Sequence, residues 1–293
     1  MNLYYKKLFN KNKKQSVQIN SDNIQDFRKM KIGVCIKAKD EQKIICDWVR
    51  YYIKLGFDKI IIYDNLSNPS IESTLTNNNI LDDKIKIHID PKDYSNQNNI
   101  YLDCIENNKD LDWILLCDTD EFLYIKDGTI KNFLNNFSED TSTVLINWVV
   151  YGTSNNKTYD KTKTIFEQFL KRESYNNFFN IFVKSFVRPK LIEKIDNVHT
   201  IFNKNFKIKN VYNEITHPLD VCSNKDSNLS DDTNVVLIHY MTLDYENMKN
   251  KRNKNSKQHL GFTINDNKYT LEWYKENFKD NITDLRMLKY TPL

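Results

Sequence analysis

The chain has 293 residues, of which 40% are hydrophobic and 13% aromatic, so it can bury a core without disulfides or a structural metal and is not disordered. Its 43 basic and 39 acidic residues give a net charge of +4, which does not indicate nucleic-acid binding, because nucleic-acid binders concentrate basic residues on one face. The five cysteines show no metal-binding spacing, and no apolar stretch approaches the roughly 18 residues of a membrane span. We therefore expect a soluble, cytoplasmic protein with free thiols and no transmembrane segment.

The first half of the chain predicts strands that alternate with helices. Residues 1–30 are expected to form an extension. The following predicted elements are strands at 31–36, 59–63, 84–89 and 112–117, and helices at 42–55 and 97–107, the first of which ends at Gly56. Continuously apolar strands that alternate with helices indicate a largely parallel sheet covered on both faces. Ligands of such sheets bind beyond the carboxyl ends of the strands.

The second half of the chain predicts a mixture of strands and helices. The predicted elements are strands at 143–151, 177–187 and 235–240 and helices at 244–255 and 271–278. Because no linker rich in Pro, Gly or Ser interrupts the chain, we expect one continuous domain over 31–260. A helical segment over 261–293 is expected to pack on that domain.

Three acidic residues, Asp118, Asp120 and Glu121, come directly after the fourth predicted strand. Their carboxylates repel one another unless a cation lies among them, and oxygen ligands suit Mg²⁺ or Mn²⁺. Residues i and i+2 share a side of an extended segment, so Asp118 and Asp120 can converge on one ion. The alternatives are a solvated acidic turn, or a cap for a helix that begins near Thr129.

Several short motifs occur in order between residues 31 and 255. They are KAKDE at 37–41, DW at 47–48, GFD at 56–58, YDNLS at 63–67, W113 with DTDEF at 118–122, W148 with YGTS at 151–154, KSFVRP at 184–189, VH at 198–199 and IHY at 238–240. Together they resemble nucleotide-sugar-dependent glycosyltransferases of the GT-A fold, in the group similar to families 2 and 92 (a DUF23-like domain). That group usually has Lys-Asn-Glu where this chain has Lys39-Asp40-Glu41.

The resemblance implies a Rossmann-like α/β/α sandwich with a mixed central sheet. It also implies Mn²⁺, or Mg²⁺, as the cofactor that stabilises the departing nucleoside diphosphate. Asp120 would be the main metal ligand, Asp118 would contact the ion or the donor, and His239 would be the third ligand. The alternative for His239 is a core histidine hydrogen-bonded to the backbone.

Further residues are implied to bind the donor. Asp64 and Glu41 would lie near the base of the nucleotide, Gln97 could reach the nucleotide or the sugar, and Lys251 or Arg252 could close over the diphosphate. The alternatives are an Asx turn for Asp64, a plain helix-terminal residue for Gln97, and a solvated helix face for Lys251 and Arg252.

Inverting transfer needs a general base, for which Asp196 is the prediction, while Glu173, His199 and Asp220 remain open. The expected function is transfer of a sugar from a nucleotide sugar, with a UDP-sugar favoured, to a hydroxyl of a glycan, protein or lipid-linked acceptor. The alternatives are another metal-dependent enzyme that uses a nucleotide, such as a nucleotidyl- or phosphotransferase, and a non-catalytic module that binds a sugar or nucleotide.

Overall fold

The computed structural model describes residues 30–90, 96–201, 205–216, 228–248, 276, 279 and 281–291. From residue 31 on, these residues belong to one compact unit. The predicted extension over 1–30 and the predicted helix over 271–278 lie almost wholly outside the described residues. The predicted helix over 244–255 is described only as far as residue 248, and residues 245–248 are helical. The domain boundaries therefore stay predictions.

Strands and helices alternate in the first half, as expected. The strands in the described residues are β1 (Ile32–Ala38), β2 (Lys59–Asp64), β3 (Ile85–Ile89), β4 (Trp113–Leu116), β5 (Glu121–Ile125), β6 (Thr141–Val150), β7 (Lys171–Arg172), β8 (Val183–Val187), β9 (Lys207–Asn210), β10 (Val235–His239) and β11 (Ile282–Thr283). The helices there are α1 (Ile45–Leu55), α2 (Ile71–Asn77), α3 (Gln97–Glu106), α4 (Ile130–Leu134) and α5 (Ile165–Gln168). Short 3-10 turns span Phe178–Ile181, Pro189–Leu191 and Leu288–Tyr290.

The main sheet has the strand order β3-β2-β1-β4-β8-β6-β10-β5, with β9 beside β6. The first four strands are mutually parallel. β8 runs antiparallel to both β4 and β6, whereas β10 runs parallel to β6 and antiparallel to β5. β7 and β11 form a separate two-stranded sheet.

Helices cover both faces of this sheet. On one face, Cys35 and Ile61 form a buried cluster with Ile100 and Cys104 of α3. On the other face, Tyr52 of α1 contacts Cys117, which directly follows β4 and has the opposite parity to Leu116 of the first cluster; successive side chains of an extended chain alternate between faces. This confirms the expected Rossmann-like α/β/α sandwich of GT-A type with a mixed central sheet.

Local sequence signals account for several element ends. α1 ends at Gly56, whose φ of 96° lies in the left-handed region and whose N–H donates to Ile53 O, as predicted. Thr129 caps α4, since its Oγ1 accepts the N–H of Asn132 at 3.1 Å. The cap of this helix is therefore Thr129 and not one of the acidic residues.

Two elements differ from the predicted ones. β5 begins inside the acidic segment at Glu121 and was not predicted, because a five-residue apolar run has no periodicity to distinguish it. The strand predicted over 177–187 starts only at Val183. Its first part is a 3-10 turn, because the Asn177 side chain accepts the N–H of Phe179 at 2.9 Å and caps it.

In the described part of the chain, no helix combines the length and apolar character that crossing a bilayer requires. The thiols of Cys35, Cys46, Cys104 and Cys117 are free, and three of them are buried.

Candidate active site

The acidic segment forms a tight turn between β4 and β5, at the carboxyl edge of the parallel strands. The N–H of Asp118 donates to Glu121 Oε2 at 2.8 Å, and the N–H of Glu121 donates to Asp118 O at 3.2 Å. Glu121 is fully buried, and this burial raises the pKa of its carboxyl well above the usual value, although a nearby ammonium opposes the shift. The buried Glu121 side chain therefore stabilises the turn by accepting the N–H of Asp118.

Lys184 on β8 supplies that ammonium. Its Nζ lies 2.7 Å from Asp118 Oδ2 and 3.9 Å from Glu121 Oε2, and its side chain is 1% exposed. Gln97, the first residue of α3, donates from Nε2 to the other oxygen of Asp118 at 2.8 Å. Burial is the largest influence and acts to raise the pKa of Asp118, but the Lys184 charge together with the hydrogen bonds from Lys184 and Gln97 holds that pKa below its usual value. Both carboxylate oxygens of Asp118 are thus engaged by protein groups.

Asp120 faces His239 across the edge of the sheet. His239 ends β10, and its Nε2 lies 3.5 Å from Asp120 Oδ1. Within the described residues, His239 Nδ1 and Trp148 Nε1 are buried without a hydrogen-bond partner. The centroids of the two rings are 4.3 Å apart. Buried polar atoms are nearly always satisfied, so these two nitrogens are polar groups that a bound ligand could satisfy. His239 therefore differs from the alternative of a core histidine bonded to the backbone.

The residues present fit a divalent cation in part. Asp120 and His239 fit as two ligands of one ion, because atoms 3.5 Å apart can both reach a metal at about 2.1 Å. Asp118 lies in the same turn, but Lys184 and Gln97 hold its oxygens. Among the described residues, no group of three or more His, Cys, Asp or Glu side chains is arranged to hold a metal ion. The predicted three-ligand set stays a prediction.

Asp64, at the end of β2, shapes the loop that follows it. Its Oδ1 accepts the N–H of Ser67 and its Oδ2 accepts the N–H of Ile71, both at 2.9 Å. The Asx-turn alternative is thus present in the structure, while contact with a nucleotide base stays a prediction.

The loop after β1 is tied to the same region. Asp40 donates its N–H to Ser67 Oγ at 2.9 Å and accepts the N–H of Asn68 at 3.1 Å. Asp40 has a φ of 56°, a conformation that Asn and Asp adopt more readily than other non-glycine residues, so aspartate is accommodated where the resembling group has asparagine. The half-buried Glu41 follows directly in this loop.

The remaining predicted residues are spread more widely. Asp196 is 65% exposed and pairs with Lys194 at 2.9 Å, while Lys251, Arg252 and Asp220 lie outside the described residues. His199 lies beside the site with its Nδ1 3.0 Å from Val183 O. Burial, helped by the charge of Lys184, lowers the pKa of His199 to about 4, so its ring is neutral at physiological pH.

The sequence did not assign a role to Lys184 or to a second polar pair at the same edge. Asn65 after β2 donates to Asp90 after β3 at 3.0 Å, and both are buried. A signal for Lys184 was present, because a lysine within the apolar run VKSFV must bury its charge beside a carboxylate.

Comparisons with known proteins give one strong match. A model of glycosyltransferase family 92 matches residues 30–278. No curated protein matches the chain. Similar solved structures include S. aureus TarS, with 13% identity over 83% of this chain and 43% of that chain and a TM-score of 0.42. Another is HddC from Yersinia pseudotuberculosis, with 11% identity over 62% of this chain and 91% of that chain and a TM-score of 0.39. A third is S. aureus TarS 1–349, with 15% identity over 55% of this chain and 48% of that chain and a TM-score of 0.36. The chain thus spans about half the length of that structure.

Proposed function

Because the chain belongs to glycosyltransferase family 92, we propose that it moves a sugar from a nucleotide-sugar donor to a hydroxyl of a glycan, protein or lipid-linked acceptor, with inversion at the anomeric carbon. A UDP-sugar is the favoured donor. The observation that supports the proposal is the approach of His239 Nε2 to Asp120 Oδ1, 3.5 Å apart, beside the unpartnered Trp148 Nε1. They lie at the edge where α/β sheets bind their ligands.

A divalent cation, Mn²⁺ or Mg²⁺, is part of this proposal. Asp120 and His239 would hold it, and it would supply Lewis-acid stabilisation of the charge that develops on the leaving diphosphate. Asp118 would be the third ligand through its remaining lone pairs, because Lys184 and Gln97 occupy only one acceptor position on each of its oxygens. In the described arrangement, Asp118 and Gln97 also form a polar surface next to the pair, where they can bind the donor.

The nucleoside is proposed to lie over the loops that follow β1 and β2. The hydrogen bonds of Asp40 with Ser67 and Asn68 fix these loops relative to each other, so this edge is preformed. Asp64 holds the loop through backbone contacts, and the half-buried Glu41 is the nearer candidate for a polar contact with the base. Lys251 and Arg252 remain the predicted cations for the diphosphate.

The test is incubation with a panel of UDP- and GDP-sugars and Mn²⁺, with release of nucleoside diphosphate as the readout. Asp120→Asn keeps the size of the side chain and is expected to reduce release by about 10²-fold or more, because a ligand that acts on the leaving group is lost. Asp232→Asn, a change at an exposed residue whose carboxylate pairs with Lys126, is the matched control and should leave release unchanged.

The outcomes separate the alternatives. Failure to bind any nucleotide, measured as the absence of a thermal shift with UDP or GDP and Mn²⁺, would refute the proposal. Release of a nucleoside monophosphate or movement of a phosphoryl group would identify a nucleotidyl- or phosphotransferase instead. Binding of a donor without hydrolysis or transfer to any acceptor would identify a binding module.

A further inference from the structure

Glu173 directly follows β7 and lies in line with His239. Its N–H donates to Val150 O at 2.9 Å, next to an antiparallel bridge between Tyr151 and Arg172. On the other side of β6, Val150 is in register with His239. His239, Val150 and Glu173 therefore form one row across three adjacent strands, and side chains in such a row project to the same face. At about 4.8 Å per strand, the Cα atoms of His239 and Glu173 are about 10 Å apart.

This row projects to the face that carries the candidate active site. Trp148 lies two residues before Val150, so its side chain is on the same face, and its ring contacts that of His239. Glu173 is 3% exposed, compared with 3% for Asp120 and 6% for His239. Glu173 is therefore enclosed to the same degree as the residues proposed to act on the donor.

The Glu173 side chain is fixed in direction. Asn177 Nδ2 donates to its Oε2 at 3.1 Å, and Asn177 is itself held by the N–H of Phe179. The neighbouring Arg172 donates from Nη1 to Glu173 O at 3.0 Å and from Nε to Asp284 at 2.7 Å. These contacts hold both the backbone and one carboxylate oxygen, as a positioned proton acceptor requires.

We propose that Glu173 is the general base that takes the proton of the acceptor hydroxyl, an assignment that rests on the proposed function. The acceptor oxygen forms its bond to the anomeric carbon while the bond from that carbon to the diphosphate oxygen breaks. The electron pair leaves with the nucleoside diphosphate, and the acceptor proton passes to the Glu173 carboxylate. The base and the leaving group lie on opposite sides of the sugar in an inverting reaction. The row places the Cα atoms of His239 and Glu173 about 10 Å apart, on either side of Val150, so the proposed metal ligand and the proposed base are separate groups on one face.

The other bases considered from the sequence are placed differently. Asp196 points to solvent beside Lys194, well exposed, in contrast to the enclosed Glu173. His199 lies on the site's face and serves as the comparison in the test.

The decisive variant is Glu173→Gln, which keeps the shape of the side chain and an oxygen for the Asn177 amide. We expect the transfer rate to fall about 10²–10⁴-fold, while the KM for the donor and the thermal shift with UDP change less than about threefold. The acid limb of the rate–pH profile is expected to disappear. Glu173→Asp should restore part of the rate, because it returns a base that is one methylene further away. Glu72→Gln, a change at an exposed carboxylate with no assigned role, is the control expected to keep the wild-type rate.

The outcomes distinguish this assignment from the proposed function. If the wild-type protein transfers sugar and Glu173→Gln does so equally well, Glu173 is not the base but the transferase function stands. A large loss in His199→Gln without one in Glu173→Gln would likewise overturn the assignment. If the wild-type protein transfers sugar from no donor, both fall. Should Glu173→Gln not fold, a reduced rate in Glu173→Asp supports the assignment, and a full wild-type rate in it refutes the assignment.

Discussion

Removal of the buried ammonium tests how the acidic turn is stabilised. Lys184→Met replaces the charge with an apolar side chain of similar length, at a position that is 1% exposed. The variant leaves Asp118, 2.7 Å away, and the fully buried Glu121 without their cation. Two carboxyl groups three residues apart must then share one turn with no positive charge between them.

The expected loss of stability can be worked from these contacts. Removing one partner of a buried ion pair costs about 3–5 kcal/mol. We expect the lower end, about 3 kcal/mol, because the Asp118 side chain is 37% exposed and Glu121 has a raised pKa and can take up a proton. For a domain of this size, that loss corresponds to a decrease in Tm of roughly 6–12 °C.

The assay is thermal unfolding in the presence of EDTA, so that no metal ion replaces the ammonium. Lys126→Met, which removes an exposed lysine paired with Asp232, is the matched control and should cost at most about 1 kcal/mol. Adding Asp118→Asn to Lys184→Met should recover about 1 kcal/mol or more, because an unpaired charge is removed. Equal Tm values for Lys184→Met and Lys126→Met would refute the reasoning.

Two further predictions concern pH and a helix end. Burial lowers the pKa of His199 from 6.5 to about 4, so below pH 6.5 the unfolded chain takes up a proton that the folded chain does not. The folded state therefore loses about 3 kcal/mol of stability as the pH falls from about 6.5 to about 4, and it loses none above about pH 6.5. The free energy of unfolding, measured by urea titration and plotted against pH over this range, should fall less steeply for His199→Gln than for the wild type. A substitution of the exposed His88 is the control and should leave this slope unchanged. A wild-type slope for His199→Gln would contradict the prediction. Gly56→Ala should cost about 1 kcal/mol, because Gly56 caps α1 at a φ of 96°, and a urea midpoint equal to the wild-type value would show that this backbone conformation is not strained by a side chain.

Much of the fold was predictable because its signals are local. Continuous apolar runs gave β1, β2 and β4, and helical spacing gave α1 and α3 within a few residues of their observed ends. β5 was missed because a short apolar run directly after the acidic residues carries no distinguishing period. The 3-10 turn before β8 was missed because aromatic residues there are compatible with either structure.

The candidate site was predictable only in part. Asp118 and Asp120 stand after an apolar strand, and that position alone indicates the ligand-binding edge. The motif order added the family resemblance, which the family match confirms, and the role of His239, which stays a prediction. The pairing of Asp118 with Lys184 was not predictable, because these residues are 66 positions apart and meet only through the β4–β8 pairing.

The sequence by itself thus determined the main strands and helices of the first half, and that acidic residues follow one of those strands. Periodicity and turn chemistry encode these properties, since each depends on neighbours within a few residues. Only the tertiary structure decided which charges meet. The order and register of β8, β6 and β10 bring Lys184 to Asp118 and place Glu173 in one row with His239, because such contacts depend on pairing between distant strands.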